Sequence, residues 1–339
     1  MKVFPSRRIV NFFIFFLLSI LLLYLAFRKV DFSHVAQGFR NVSYLWIFLS
    51  LLVGLASHAL RAVRWSILVE PLGKKPSFLN MFSAVMVGYI ANLALPRVGE
   101  VAKCGSVSRT DGIRFESLVG TVVVERAMDL VMLLLATITV VALKFDFFGK
   151  FIISRIFHPL RDRALQLNGY QLAAVLVVVV AFILFVRLIL RSEIFGSKIS
   201  LKIRSIWNGT VDGVKSIAHT NKLGQFLVLS VVMWLCYWVM TWLLLYSTPI
   251  TANLTVWDGL FIMVIGSYGM VVPVQGGFGA YHIITAIALG IFGITYDDGL
   301  LFAIISHESQ TFLVILGGIL ALIYVYIIQR PDKPKPQSL

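Results

Sequence analysis

Cysteine and charge are both scarce in this chain. Only Cys104 and Cys236 occur in 339 residues, each in or beside a different apolar segment, which excludes a disulfide framework or a cysteine-built metal site. Both read as small buried side chains. Charged residues make up 14% of the chain against 59% hydrophobic ones, and the mean hydropathy is +0.89; no soluble domain of this length would tolerate such a surface. Acidic residues are fewer still, 16 against 30 Lys and Arg, for a net charge of +14. That excess suits nucleic acid in principle, but the Lys and Arg lie between hydrophobic runs with no nucleic-acid motif beside them. They read instead as topology signals facing anionic lipid. Also missing are a nucleophile paired with a base, a His/Cys/Asp metal spacing and a nucleotide loop. The expectation is a passage rather than an enzyme, with no cofactor and no metal.

What the chain does have is long apolar runs. A spanning helix needs about 20 apolar residues, and Ile9–Phe27, Tyr44–Leu60, Ser117–Leu143, Gln171–Leu190, Gln225–Tyr246 and Leu300–Ile328 qualify. Lys2, Arg7 and Arg8 before the first run imitate a signal peptide. The run ends in Phe27-Arg28-Lys29 without a small-residue cleavage site, so it is expected to remain as an anchor. Arg61, Arg64 and Trp65 after the second run mark the headgroup boundary in this reading. Glu193–Ile217 reads as a basic amphipathic helix in the headgroup layer, and Phe147–Leu160 as a less regular one. Residues 1–329 then form one integral membrane domain with halves of about 1–150 and 151–329, and residues 330–339 a disordered cytoplasmic tail.

Two further apolar runs are broken. Leu260–Leu289 is interrupted by Val271-Val-Pro-Val-Gln-Gly-Gly-Phe-Gly-Ala-Tyr-His282, and the run from Phe82 by Leu95-Pro-Arg-Val-Gly-Glu100. Proline lacks the N–H and clashes with the preceding turn, and glycine is a poor helix former, so each run splits into two half-helices. Lipid satisfies no backbone N–H or C=O, so broken backbone must be buried in protein or line a cavity. Paired breaks in two halves point to a transport site. If both runs are re-entrant hairpins and the N-terminus is cytoplasmic, most Lys and Arg fall inside, the C-terminus included; the 144–163 linker opposes this. The order helix, helix, hairpin, helix then occurs twice with opposite orientation: an all-α polytopic fold of two inverted-topology halves, six spanning helices and two broken hairpins. Eight full crossings are the alternative.

The candidate site residues cluster at and after the breaks. Glu125 and Asp129 share a helical face with Arg126 on its neighbour, as a headgroup site or as an internal salt-bridge cluster. Arg97, Gly99 and Glu100 follow the first break, where a helix N-terminus suits phosphate and Arg97 would add a multi-donor contact or simply snorkel to the interface. At the second, the backbone of Gln275, Gly276, Gly277 and Gly279 would form a matching anion cradle, although such glycines also serve close helix packing. His282, His307 and Glu308 are candidates for proton coupling. A lone histidine such as His282 or His58 has the plainer reading of a hydrogen-bonded core residue.

Pro96-Arg97-Val98-Gly99-Glu100, Glu125-Arg126-x-x-Asp129 and Pro273 through Gly276-Gly277-Phe278-Gly279, taken in order, resemble the flippase-like transmembrane domain of bacterial lysylphosphatidylglycerol synthases and its stand-alone relatives. The resemblance covers nearly the whole chain. It implies a lipid translocase in the bacterial inner membrane, with membrane lipids as partners and a second copy of the chain or a separate lipid-modifying enzyme as further candidates. The chain is expected to be the transport half alone, without the family's C-terminal synthase domain, so the substrate does not carry over. His282 stands where that pattern usually has Glu; if the Glu binds a cationic headgroup, a lysyl lipid fits this chain less well. Transport of a small anionic solute and a membrane-embedded headgroup enzyme are the competing expectations.

Overall fold

In the computed structural model, residues 17, 20–28, 30–73, 75–143 and 222–328 are described. All of their regular structure is helical: α1 (residues 20–27), α2 (Phe32–Arg40), α3 (Tyr44–Val69), α4 (Phe78–Ala94), α5 (Gly99–Asp111), α6 (Phe115–Leu143), α7 (Leu223–Leu245), α8 (Val256–Val271), α9 (Ala280–Leu289) and α10 (Tyr296–Ile328), with 3-10 turns at Glu70–Leu72, Gln275–Gly277 and Gly290–Phe292. The expected span Gln171–Leu190, the two linker helices and the tail lie outside the described residues, as does most of the first span. Two compact units are present, Met1–Thr137 with Gly209–Leu339, and Ile138–Asn208; the candidate site lies wholly in the first.

The termini of these helices follow from local chemistry. Ser77 caps α4, its hydroxyl accepting from the Asn80 amide at 3.2 Å, and α4 ends at Leu95 because the residue before Pro96 is forced into extended backbone (φ −143°, ψ 125°). Thr255 and Asp258 form a reciprocal capping box on α8, which stops before Pro273. At its far end α3 is closed by Pro71 in the 3-10 turn and by Gly73 at φ 96°. This is nine residues beyond the expected end at Leu60, and the extension is a correction: Arg61, Arg64 and Trp65 do not mark a headgroup boundary but are buried in the protein. Trp65 donates to Thr121 Oγ1 at 2.9 Å and lies in an apolar core of α3, α4, α5, α6 and α7 that includes Leu68, Met81, Val107, Leu118 and Phe226.

Five described segments are long and apolar enough to cross a membrane: Tyr44–Leu72, Phe115–Leu143, Leu223–Leu245, Gln275–Phe292 and Tyr296–Ile328. Their outer faces are exposed and greasy, with Leu52, Leu130, Val228 and Leu316 among many, as lipid contact requires. The segment Gln275–Phe292 is not a straight rod, since Gly279 at φ 78° breaks it and α9 is 10 residues long, about 15 Å or half a hydrocarbon core.

Both broken runs fold back on themselves. In the first, Asn80 near the start of α4 donates to the Asp111 carboxylate at the end of α5 (3.0 and 3.1 Å), while Asn92 accepts from the Gly99 amide at 2.7 Å beside the break. In the second, Phe261 and Phe292 meet edge to face at the open end (5.7 Å) and Gly269 faces Tyr281 near the turn. Glycine permits the closest approach: a methyl group at Gly99 would overlap the Gly88 carbonyl oxygen and lie 2.5 Å from Asn92 Cγ. Each is therefore an antiparallel hairpin.

Helix α10 shows how the hairpins face each other. Gly299 packs on Ala286 near the open end of hairpin two, and His307 contacts Gly276 at its tip. Further along, Gly317 and Gly318 pack on Met86 and Ile90, and the Tyr324 hydroxyl donates to Asn80 Oδ1 (3.0 Å) at the open end of hairpin one. From 299 to 324 is 25 residues, roughly 38 Å of helix, so the hairpins enter from opposite ends of α10 and meet near its middle. Their tips touch: Gln275 Nε2 donates to the Ala94 carbonyl at 3.2 Å. Helices α3 and α7 are antiparallel, with Ser50 against Met240, Arg61 against Tyr237 and Arg64 against Ser230.

Candidate functional site

Three helices contribute ions to one buried cluster. Arg61 and Arg64 lie three apart on α3, Glu125 and Asp129 four apart on α6, and Glu100 and Lys103 three apart on α5, so each pair shares a helical face. Arg61 Nη1 sits 2.8 Å from Glu125 and 2.9 Å from Asp129; Arg64 Nη2 sits 3.3 and 2.8 Å from the same two. Lys103 pairs with the other Glu125 oxygen and lies 4.1 Å from the centre of the Trp65 ring. Glu125 and Arg64 are fully buried. Arg126 extends the network outward to Glu100 (3.3 Å) and Asp129 (3.6 Å) and remains 44% exposed. Four cations, Arg61, Arg64, Lys103 and Arg126, thus oppose three anions, Glu100, Glu125 and Asp129. In a medium of low dielectric that surplus attracts an anion.

Beside this cluster, between the hairpin tips, lies a cavity of about 840 Å³. Ser57, His58 and Arg61 line it from α3, Tyr89 and Asn92 from α4, Arg97 and Glu100 from around the first break, Arg126 from α6, Tyr237 and Thr241 from α7, Gly276 and Gly277 from the second break, and His307, Gln310 and Thr311 from α10. Leu93, Met240, Met263, Met270 and Val314 supply its apolar wall. Both ring nitrogens of His58 lack a hydrogen-bond partner, so the hydrogen-bonded core role does not hold for it. Arg97 is at φ 63°, the one non-glycine residue in the left-handed region among those described. Such backbone is unfavourable for a residue with a Cβ, and it is held in place where the turn must close.

Of the residues singled out in the sequence, Arg97, Glu100, Arg126, Gly276, Gly277 and His307 line the cavity. Glu125 and Asp129 do not; they stand behind Arg61, which reaches between them and the cavity. Gly99 serves the close contact of the first hairpin, and Gln275 joins the two tips. The amides of Gly277 and Phe278 donate to Val274 and Gln275 carbonyls (3.4 and 3.0 Å), closing their own turn, and Gly279 approaches the backbone of Leu22 in α1. His282 and Glu308 meet His307 in a second cluster, Glu308 Oε1 lying 3.3 Å from His282 Nε2 and 3.0 Å from His307 Nδ1. These three hold donor atoms within 4.8 Å of one another and form the group, among the described residues, able to accept a metal ion. Arg61 and Arg64, expected at the headgroup boundary, and Lys103, expected among the cytoplasmic charges, join the buried cluster instead. The available signal was Ile67-Leu68-Val69, apolar residues that continue the α3 pattern past both arginines.

These features define a polytopic integral membrane protein in which two opposed helical hairpins close on a charged cavity. Over residues 12–318 the chain matches the lysylphosphatidylglycerol synthase TM region, and it belongs to that family, which carries a lipid-related role in the membrane. No curated protein and no solved structure matches it significantly.

Proposed function

We propose that this protein is a lipid translocase that carries an anionic lipid headgroup between the leaflets of a bacterial inner membrane, with both termini on the cytoplasmic side. The observation that supports this best is the meeting of the two hairpin tips at the middle of α10, around a cavity bearing Arg61, Arg97 and Arg126 against Glu100. A phosphate at mid-depth would be held by guanidinium groups, whose planar donors suit it, while the acyl chains stay in lipid along the exposed apolar faces. The antiparallel α3 and α7 and the opposed hairpins fit two inverted halves that rock about the cavity and open it to each leaflet in turn. Glu125 and Asp129 act as fixed counter-ions that hold Arg61 and Arg64 in place. The chemistry is displacement, not bond breaking; membrane lipids are the partners, with a second copy of the chain and a separate lipid-modifying enzyme as candidates.

The test is reconstitution into liposomes carrying labelled lipids of several headgroups. Accelerated exchange of an anionic lipid is expected, slowed about 10- to 100-fold in Arg97→Ala, which is what loss of one charge-assisted contact of about 1.5–3 kcal/mol implies. Passage of a soluble anion without lipid movement, or cleavage of the headgroup, overturns the proposal.

A further inference from the structure

The geometry points to a divalent transition-metal site, best suited to Zn²⁺, formed by His307 Nδ1, His282 Nε2 and Glu308 Oε1 at the turn of the second hairpin. This does not rest on the transport reading. It starts from a hydrogen-bonding conflict.

The carbonyl of Gly276 is an acceptor, so His307 Nε2, 2.7 Å away, must be the protonated ring nitrogen. In the neutral ring Nδ1 carries a lone pair; the Thr311 hydroxyl reaches it only at 3.4 Å, while Glu308 Oε1 lies closer, at 3.0 Å. Two acceptors do not hold that distance without a positive species between them. The same carboxylate oxygen is 3.3 Å from Nε2 of His282, a residue 2% exposed whose Nδ1 has no partner. Three groups thus converge on one point.

Two of the three separations already fit a metal, and the third, between the two imidazoles, would close to the same spacing on binding. Around a tetrahedral Zn²⁺ with bonds of about 2.0–2.1 Å, neighbouring donors lie about 3.3 Å apart; the two contacts to Glu308 are 3.0 and 3.3 Å, and all three donor atoms fall within 4.8 Å of one another. Two imidazoles and one carboxylate select a transition metal over Mg²⁺ or Ca²⁺, which take oxygen ligands. The surroundings match as well. A metal-bound histidine usually donates its other N–H to a carbonyl or carboxylate, which fixes tautomer and orientation, and Gly276 supplies that carbonyl. Phe278 and Tyr281 pack on the His307 ring at 5.0 and 5.2 Å and hold it in position. Glu308, 42% exposed, leaves a route of entry.

The consequence is mechanical. His282 is on α9 and His307 and Glu308 are on α10, while His307 grips the hairpin tip through Gly276. A bound ion would clamp the second hairpin to α10 beside the cavity, and the protein donors would leave one tetrahedral position for water.

The full chain, purified without a polyhistidine tag, placed in lipid nanodiscs and stripped with chelator, is dialysed against Zn²⁺ and its metal counted by elemental mass spectrometry, with Co²⁺ as a spectroscopic probe. The expected result is one equivalent per chain, intense visible Co²⁺ bands of a tetrahedral site, and loss of both in His282→Ala and Glu308→Gln. Zn²⁺ should also raise the melting temperature of the unmodified protein. If the alanine variant fails to fold, His282→Asn and Glu308→Gln, checked by gel filtration, carry the comparison. Absence of stoichiometric uptake by the stripped protein, or uptake unchanged in the folded variants, overturns the assignment and leaves a protonated histidine as the species between the two acceptors. Metal uptake is read without any transport assay, so this outcome and the failure of lipid translocation are separately visible.

Discussion

Replacing Glu125 with Gln keeps the size of the side chain and removes its charge, which isolates the electrostatics of the ion cluster. The native group balances four cations with three anions; in the variant, four face two: Arg61 and Lys103 lose their nearest carboxylate, and Arg64 loses the more distant of its two. Asp129 still contacts both arginines, but Lys103, 4% exposed, is left with no carboxylate, only a neutral amide oxygen and the Trp65 ring. Breaking a buried pair by removing one partner costs about 3–5 kcal/mol, because the remaining charge is buried without compensation. Glu125 is fully buried, which puts this variant at the upper end of that range. Lys103→Met should cost less, since Glu125 keeps both arginines. The double variant restores the original surplus of one cation and should be more stable than the sum of the two changes by about 1 kcal/mol or more. Unfolding free energies in mixed micelles, taken around the full cycle, measure this. A Glu125→Gln protein within about 0.5 kcal/mol of the parent, or strictly additive costs, would refute the closed network.

Gly99→Ala should destabilise the first hairpin by about 1–3 kcal/mol, since the new methyl overlaps the Gly88 carbonyl and can be relieved only by parting the arms. Gly105→Ala on the same helix meets nothing within 4 Å and should be neutral or stabilising by about 0.5–1 kcal/mol; thermal unfolding of both variants checks the contrast. Arg97→Gly should stabilise the fold by about 1 kcal/mol by relieving the φ of 63°, yet slow lipid exchange, whereas Arg97→Ala slows exchange without the stabilisation. Lys75→Cys and Asn253→Cys, at the open ends of the two hairpins, should react with an impermeant thiol reagent from opposite sides of the membrane; labelling of both from one side would contradict the opposed entry.

The two hairpins were legible in the chain because their cause is local. Pro96 and Pro273 lack an N–H, glycines follow each, and a helix must stop there whatever surrounds it. The breaks, the four long spans with their ends displaced by up to nine residues, and the placing of Glu125, Arg126 and Asp129 in one ion cluster follow from residue type and spacing. The depth of Arg61 and Arg64 does not. An arginine near the end of an apolar run can snorkel to the interface or be buried against carboxylates, and only partners 61 to 68 positions away on α6 decide between them. The same holds for Lys103, which a charge count assigns to a cytoplasmic loop and the structure places against Glu125. His282 stands 26 positions before Glu308 and on another helix, so no spacing rule reveals that it meets the same Glu308 oxygen as His307. Composition and backbone chemistry therefore determined where the chain must break and that it must lie in lipid. Which charges meet was decided by packing, because an ion's cost in a membrane depends on what stands within a few ångströms of it, not on its neighbours in sequence.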